Sequence, residues 1–256
     1  MTDHKILTPY FLDEALPDMK ELAENDWTVI EPALPGTDTQ GRMIALYQSL
    51  TRTVKETVEE GDRPVSIAGD CCTTIAVLAG LQQAGLEPVL IWFDAHGDFN
   101  TWETSPSGFL GGMPLAMMVG RGEQRLVEGA GLRTLEETKV ILTDARDLDP
   151  EERVAVSASA VQHLPSVGML LNQPLSPGPL YVHFDVDVIN PLDAPAMNYL
   201  AEGGPRVAEL RQVFAHLAAS GRVAAVSLSS WNPELDEDGR SREAALSLLA
   251  TVLARP

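Results

Sequence analysis

At 256 residues the chain can bury a substantial core as one large α/β domain or two small ones, and 45% hydrophobic with 21% charged residues excludes a disordered or membrane-embedded chain. A formal net charge of −19 argues against a nucleic-acid surface, which needs concentrated Lys and Arg, and would favour cationic small molecules instead. The two cysteines, Cys71 and Cys72, are adjacent and poorly placed to pair, which argues against a secreted disulfide framework and leaves a thiol open to duty as ligand or nucleophile.

The N-terminal "MTDHKILTPYFLDEALPDMK" carries no basic leader before an apolar core, and nowhere do about 18 apolar residues run together, so a cytoplasmic protein without membrane contact is expected. No repeat or long polar linker interrupts the chain, and a single domain over residues 1–256 is predicted. In chain order, the patterns predict helix Gln40–Glu60, strand Pro64–Ala68, helix Cys72–Ala84, and strands Pro88–Phe93 and Lys139–Thr143. Helix Glu151–Ser159, strand Leu180–Phe184, helix Arg206–Ser220, strand Arg222–Leu228 and helix Arg240–Leu253 follow. Such alternation implies a three-layer α/β/α fold with a mostly parallel sheet.

Ligands in such sheets bind outside the carboxyl ends of the strands, and three predicted strands end in polar clusters: "GDCC", "DAHGD" and "DVD". Asp94, His96 and Asp98 can curl around one centre because a small residue fills each gap. Asp185 and Asp187, two apart on an extended segment, share a face. Four carboxylates packed together repel unless cations lie among them, and mixed oxygen and nitrogen donors suit Mn²⁺, Zn²⁺ or a similar ion. A pair of ions about 3.5–4 Å apart would absorb the charge and hold an activated hydroxide.

Several ordered motifs make the chain resemble the ureohydrolase family of arginases, agmatinases and their relatives. "AGDCC" is similar to the family's Gly-Gly-Asp-His-Ser element, "DAHGDFN" to its Asp-Ala-His-x-Asp element, and "HFDVDVINP" to its Ser-x-Asp-x-Asp-x-x-Asp-Pro element. "SGFLGGMPLA" and "WNP" match two further segments in order. The resemblance implies a binuclear-metal hydrolase with an arginase-like fold, a small guanidino substrate and assembly as a homo-trimer or hexamer. It also implies that Asp94 and Asp185 bridge the ions, that His96 and Asp187 complete one shell, and that Asp98 and Cys71 complete the other. Asp98 would further accept a hydrogen bond from the bridging hydroxide. Asn100 and Ser107 would face the amino-acid end of the substrate. Asp149 would hold its α-amino group; without the resemblance it reads as a carboxylate at a helix N-terminus.

The chain departs from the family at three places. Cys71 stands where the usual ligand is His, so a thiolate would weaken the metal as a Lewis acid; Mn²⁺ remains the expected ion, with Zn²⁺, Fe²⁺ or Co²⁺ open at that position. The alternative is that Cys71 is only a small buried residue. Gly111 occupies the place of a His before "GMP" that arginases use to shuttle protons, and Ser230 the place of an acid that contacts the guanidinium. Glu103, in the same loop as Asn100, either compensates or is a solvated carboxylate. His183 either orients a ligand or packs in the core, and Trp231 either closes the pocket or packs.

These losses suit a substrate less demanding than arginine, because a guanidine bearing an N-hydroxyl is less basic and needs less acid assistance. "DFNTWETSPSGFLGGMP" together with the Cys resembles the N-hydroxyarginine-hydrolysing branch, which implies ornithine and hydroxyurea as products. Arginine, agmatine, guanidinobutyrate and formiminoglutamate stay open as substrates. So does a binding or regulatory protein that has lost turnover.

Overall fold

The computed structural model describes residues 2–255, which fall into two compact units: residues 2–87 with 98–136, and residues 88–97 with 137–255.

In the first unit, strand β1 (Asp3–Thr8) is followed by a short antiparallel hairpin, β2 (Tyr10–Phe11) and β3 (Glu14–Ala15), and then by β4 (Thr28–Val29). Strand β5 (Arg63–Ala68) pairs parallel with β1 from Asp3 opposite Arg63 to Thr8 opposite Ala68, and β4 pairs parallel on the other side of β1. Helix α1 (Thr39–Glu59) begins where Asp38 accepts a hydrogen bond from the Gly41 amide at 2.9 Å. It buries Met43, Leu46, Tyr47, Leu50 and Val54, a stripe at helical spacing. Helix α2 (Thr74–Gln83) is buried along its length and packs against α1. Two short helices, α3 (Pro114–Met118) and α4 (Arg125–Ala130), complete the unit.

Strand β1 was not among the predicted strands. Its first half, Asp3-His4-Lys5, is polar and only half buried, so no apolar run long enough to register precedes Thr8.

The second unit holds β6 (Val89–Asp94), β7 (Val140–Asp144), β8 (Gln162–Leu164), β9 (Leu180–Asp185) and β10 (Val223–Ser229). They form a parallel array in the order β10, β9, β6, β7, β8. β6 and β9 are buried at every position, which explains their nearly unbroken apolar sequence. On one face Phe214, from helix α6 (Val207–Ala219), meets Phe93 edge-on at 4.9 Å and Phe184 at 5.2 Å. Helices α5 (Pro150–Ala158) and α7 (Arg240–Leu253) were predicted to within a residue or two.

Candidate metal centre

Parallel register places the strand ends of the second unit in a row. Phe93 pairs with Phe184, Asp94 with Asp144, and Asp185 with Ser229, so Asp94, Asp144, Asp185 and Ser229 end four adjacent strands. Beyond β6 the chain turns because the Asp94 carboxylate accepts the His96 amide at 2.7 Å, while Trp92 Nε1 holds its other oxygen at 3.1 Å. Asp187 folds back onto this turn: one oxygen accepts the Ala95 amide at 3.0 Å, and the other lies 2.8 Å from His96 Nδ1. Asp185 accepts the Asp187 amide at 3.0 Å, the Ser229 hydroxyl at 2.8 Å, and the Ser230 hydroxyl.

Donor atoms of Asp94, His96 and Asp187 all lie within 4.8 Å of one another, and so do those of Asp94, His183 and Asp185. Asp94, Asp185 and Asp187 are buried. Burial and then the Asp187 charge push the Asp185 pKa up to about 8; burial and then the Asp94 charge push Asp187 up to about 6. Burial also raises Asp94, with Asp185 adding to it. Burial opposes a charge on His96, yet its hydrogen bonds to Asp187 and Asp94 push its pKa up to about 12. Burial alone drives His183 down to about 3. Three buried carboxylates that resist ionisation together, converging with imidazoles, form a donor set that fits a divalent cation.

Cys71 and Asp98 belong to the first unit. Cys71 opens a short 3₁₀ turn after β5 in which Asp70 accepts the Cys72 amide at 2.8 Å and, through its other oxygen, the Leu12 amide at 2.8 Å. Glycine is required at 69, since a Cβ there would stand 2.3 Å from the Tyr10 carbonyl oxygen. Cys71 is buried with Sγ 3.3 Å from the Gly111 carbonyl, and the Phe109 ring fills the space that a side chain at 111 would need. Asp98 is buried in a left-handed conformation, φ 49°, and its carbonyl accepts the Ala116 amide at 3.1 Å. Asn100 is buried and accepts the Thr104 hydroxyl at 3.0 Å. Glu103 is exposed and accepts the Thr101 hydroxyl at 2.7 Å, which lowers its pKa. Ser107 is exposed, and its hydroxyl accepts the Phe109 amide at 3.2 Å.

Back in the second unit, Asp149 caps α5 in a reciprocal box with Glu152, matching the reading of it as a helix N-terminal carboxylate. Ser230 sits at φ 68° with its hydroxyl committed to Asp185. Trp231 is buried, with Nε1 donating to Asp236 at 2.8 Å.

Sequence reasoning overlooked three groups that hold the carboxylates: Trp92, Ser229 and Arg146. Arg146 pairs with Asp144 and donates to the backbone carbonyls of Asp187 at 2.9 Å and Val188 at 3.2 Å. Their signal was position alone, at or just beyond strand ends.

The model of the arginase family matches residues 13–254 of the chain. This chain belongs to the arginase family. It is 30% identical to an arginase of Schizosaccharomyces pombe over 92% of this chain and 80% of that one. It is 29% identical to the N(omega)-hydroxy-L-arginine amidinohydrolase of Streptomyces lavendulae over 88% of this chain and 78% of that one. A crystal structure of arginase from Bacillus subtilis superposes with a TM-score of 0.84 at 25% identity, covering 100% of this chain and 99% of that one. The chain is therefore an α/β protein of the arginase fold and a metal-dependent ureohydrolase, a hydrolase of guanidino compounds. Among the described residues, no helix is long and apolar enough to cross a membrane.

Proposed function

We propose that this arginase-family member hydrolyses N-hydroxy-L-arginine in preference to L-arginine, giving ornithine and hydroxyurea. The observation that carries this reading is Ser230: where arginases place an acid towards the guanidinium, this chain has a hydroxyl turned onto Asp185. Gly111, whose surroundings are filled by Phe109, supports it by leaving no side chain there to deliver a proton. A strongly basic guanidinium needs both aids, whereas an N-hydroxyguanidine is easier to attack without them.

Two divalent ions, Mn²⁺ foremost, would supply an acidified water and Lewis-acid polarisation, held by Asp94, His96, Asp185 and Asp187 together with Cys71 and Asp98. Ser229 and Ser230 orient Asp185, and Trp92 orients Asp94. Asp98 is assigned the hydrogen bond to the attacking water, Asn100, Ser107 and Asp149 the amino-acid end of the substrate, and Glu103 a supporting role at the guanidino end. Hydrolysis leaves the water oxygen on the guanidino carbon as hydroxyurea and a proton on the departing ornithine amine. The match across residues 13–254 supports treating the whole chain as one ureohydrolase domain, and assembly as a trimer or hexamer is part of the same proposal.

The test is turnover of N-hydroxyarginine, arginine, agmatine, guanidinobutyrate and formiminoglutamate side by side after loading with Mn²⁺. Efficient arginine hydrolysis with none of N-hydroxyarginine refutes the assignment. No turnover of any of them, with ions bound, turns the reading to a binding protein.

A further inference from the structure

We propose that His183 is itself a metal ligand, so that Asp94 is shared between two three-residue groups, each of one imidazole and two carboxylates. This rests on the binuclear reading above and extends its ligand set. The first group is Asp94, His96 and Asp187; the second is Asp94, His183 and Asp185, and the donor atoms within each lie inside 4.8 Å.

The backbone dictates this placement. Residues two apart on a strand share a face, so His183 stands below Asp185 as Trp92 stands below Asp94, and Trp92 and His183 pair across β6 and β9. Their rings lie 4.0 Å apart, and Trp92 also donates to Asp94. The other side of the imidazole is anchored at Nδ1, 2.8 Å from Ser227 Oγ, and that hydroxyl lies 2.8 Å from the Tyr181 phenol. Nδ1 faces Ser227, and Nε2 is the ring nitrogen on the side away from that anchor. Donation from Nδ1–H to Ser227 leaves a lone pair on Nε2, the tautomer a metal ligand requires. Tyr181, His183 and Ser227 are all buried, so the anchor is built into the core. Burial alone requires a partner for the ring N–H, which Ser227 supplies; a buried histidine that only filled space would have no need of two carboxylates beside its ring.

The consequence is a division of labour. Each ion receives one imidazole and two carboxylates from the second unit, so neither depends on a nitrogen donor from outside it. The experiment is Zn²⁺ titration of the metal-free full chain with removal of free ion, on the native protein and on His183→Ser, monitored by elemental analysis. Native protein is expected to retain two ions, and His183→Ser one, with affinity for the second at least tenfold weaker. Imidazole ¹⁵N resonances of the Zn²⁺-loaded native protein give a readout that survives misfolding of the variant: of five histidines, His96 and His183 are expected at metal-bound shifts. Two ions held equally well by His183→Ser, or a His183 protonated at Nε2 in the loaded protein, overturns the assignment and leaves the binuclear reading standing. Fewer than two ions on the native protein overturns the binuclear reading itself.

Discussion

Replacing Arg146 with Met separates the support of the metal centre from its ligands. The guanidinium pairs with Asp144 and reaches the carbonyls of Asp187 at 2.9 Å, Val188 at 3.2 Å, Ala201 at 3.3 Å and Glu202 at 3.1 Å. Side-chain exposure is only 16% for Arg146 and 7% for Asp144, so water cannot readily substitute for the lost donors. Breaking a buried pair by removing one partner costs about 3–5 kcal/mol, against a total stability of about 5–15 kcal/mol. Burial already raises the Asp144 pKa despite the opposing arginine charge, so the orphaned carboxyl can take up a proton. That relief puts the expected loss near the lower end, about 3 kcal/mol. Urea unfolding of the metal-free protein measures it, and Asp144→Asn added to Arg146→Met should restore part of it. Because Arg146 holds the Asp187 carbonyl, metal affinity should fall in the same variant. A loss below about 1 kcal/mol with metal affinity unchanged would refute the reasoning.

Four further outcomes follow from the same structure. Groups with raised folded-state pKa values favour folding below their unfolded values and lose that contribution as pH rises through the folded ones. With Asp185 at about 8 and His96 at about 12, the metal-free protein should lose stability between pH 6.5 and 8, above the range in which His183, lowered to about 3, acts in the opposite sense. Denaturation at those two pH values checks this, and a gain in stability contradicts it; for the same reason, metal binding near neutral pH should release protons, measurable by calorimetry in two buffers. Ser230→Ala and Ser230→Gly both remove the hydroxyl from Asp185, but only glycine relaxes the φ of 68°, so the glycine variant should be the more stable by about 1 kcal/mol in thermal unfolding. Gly80→Ala would place a Cβ 2.7 Å from the Thr51 carbonyl and Val54 on α1, costing about 1–3 kcal/mol; an unchanged unfolding midpoint would show that α1 and α2 can move apart freely.

The sequence by itself determined the alternation of β5 to β7 and β9 to β10 with α1, α2 and α5 to α7, because strands buried on both faces and helices with an apolar stripe follow different periods. It also marked where charge collects: "DAHGD" and "DVD" place acids where a strand must end, and no core can absorb those charges without a partner. Strands β1 and β8 escaped notice, the first for its polar half and the second because three residues carry no period. Only the tertiary structure decided that Ser229 and Ser230 serve Asp185, that Trp92 serves Asp94, that Arg146 grips the Asp187 backbone, and that His183 joins Asp94 and Asp185. These relations depend on register between strands far apart in the chain. Local patterning specifies which face a side chain occupies, while pairing between distant strands specifies which other side chain it will find there.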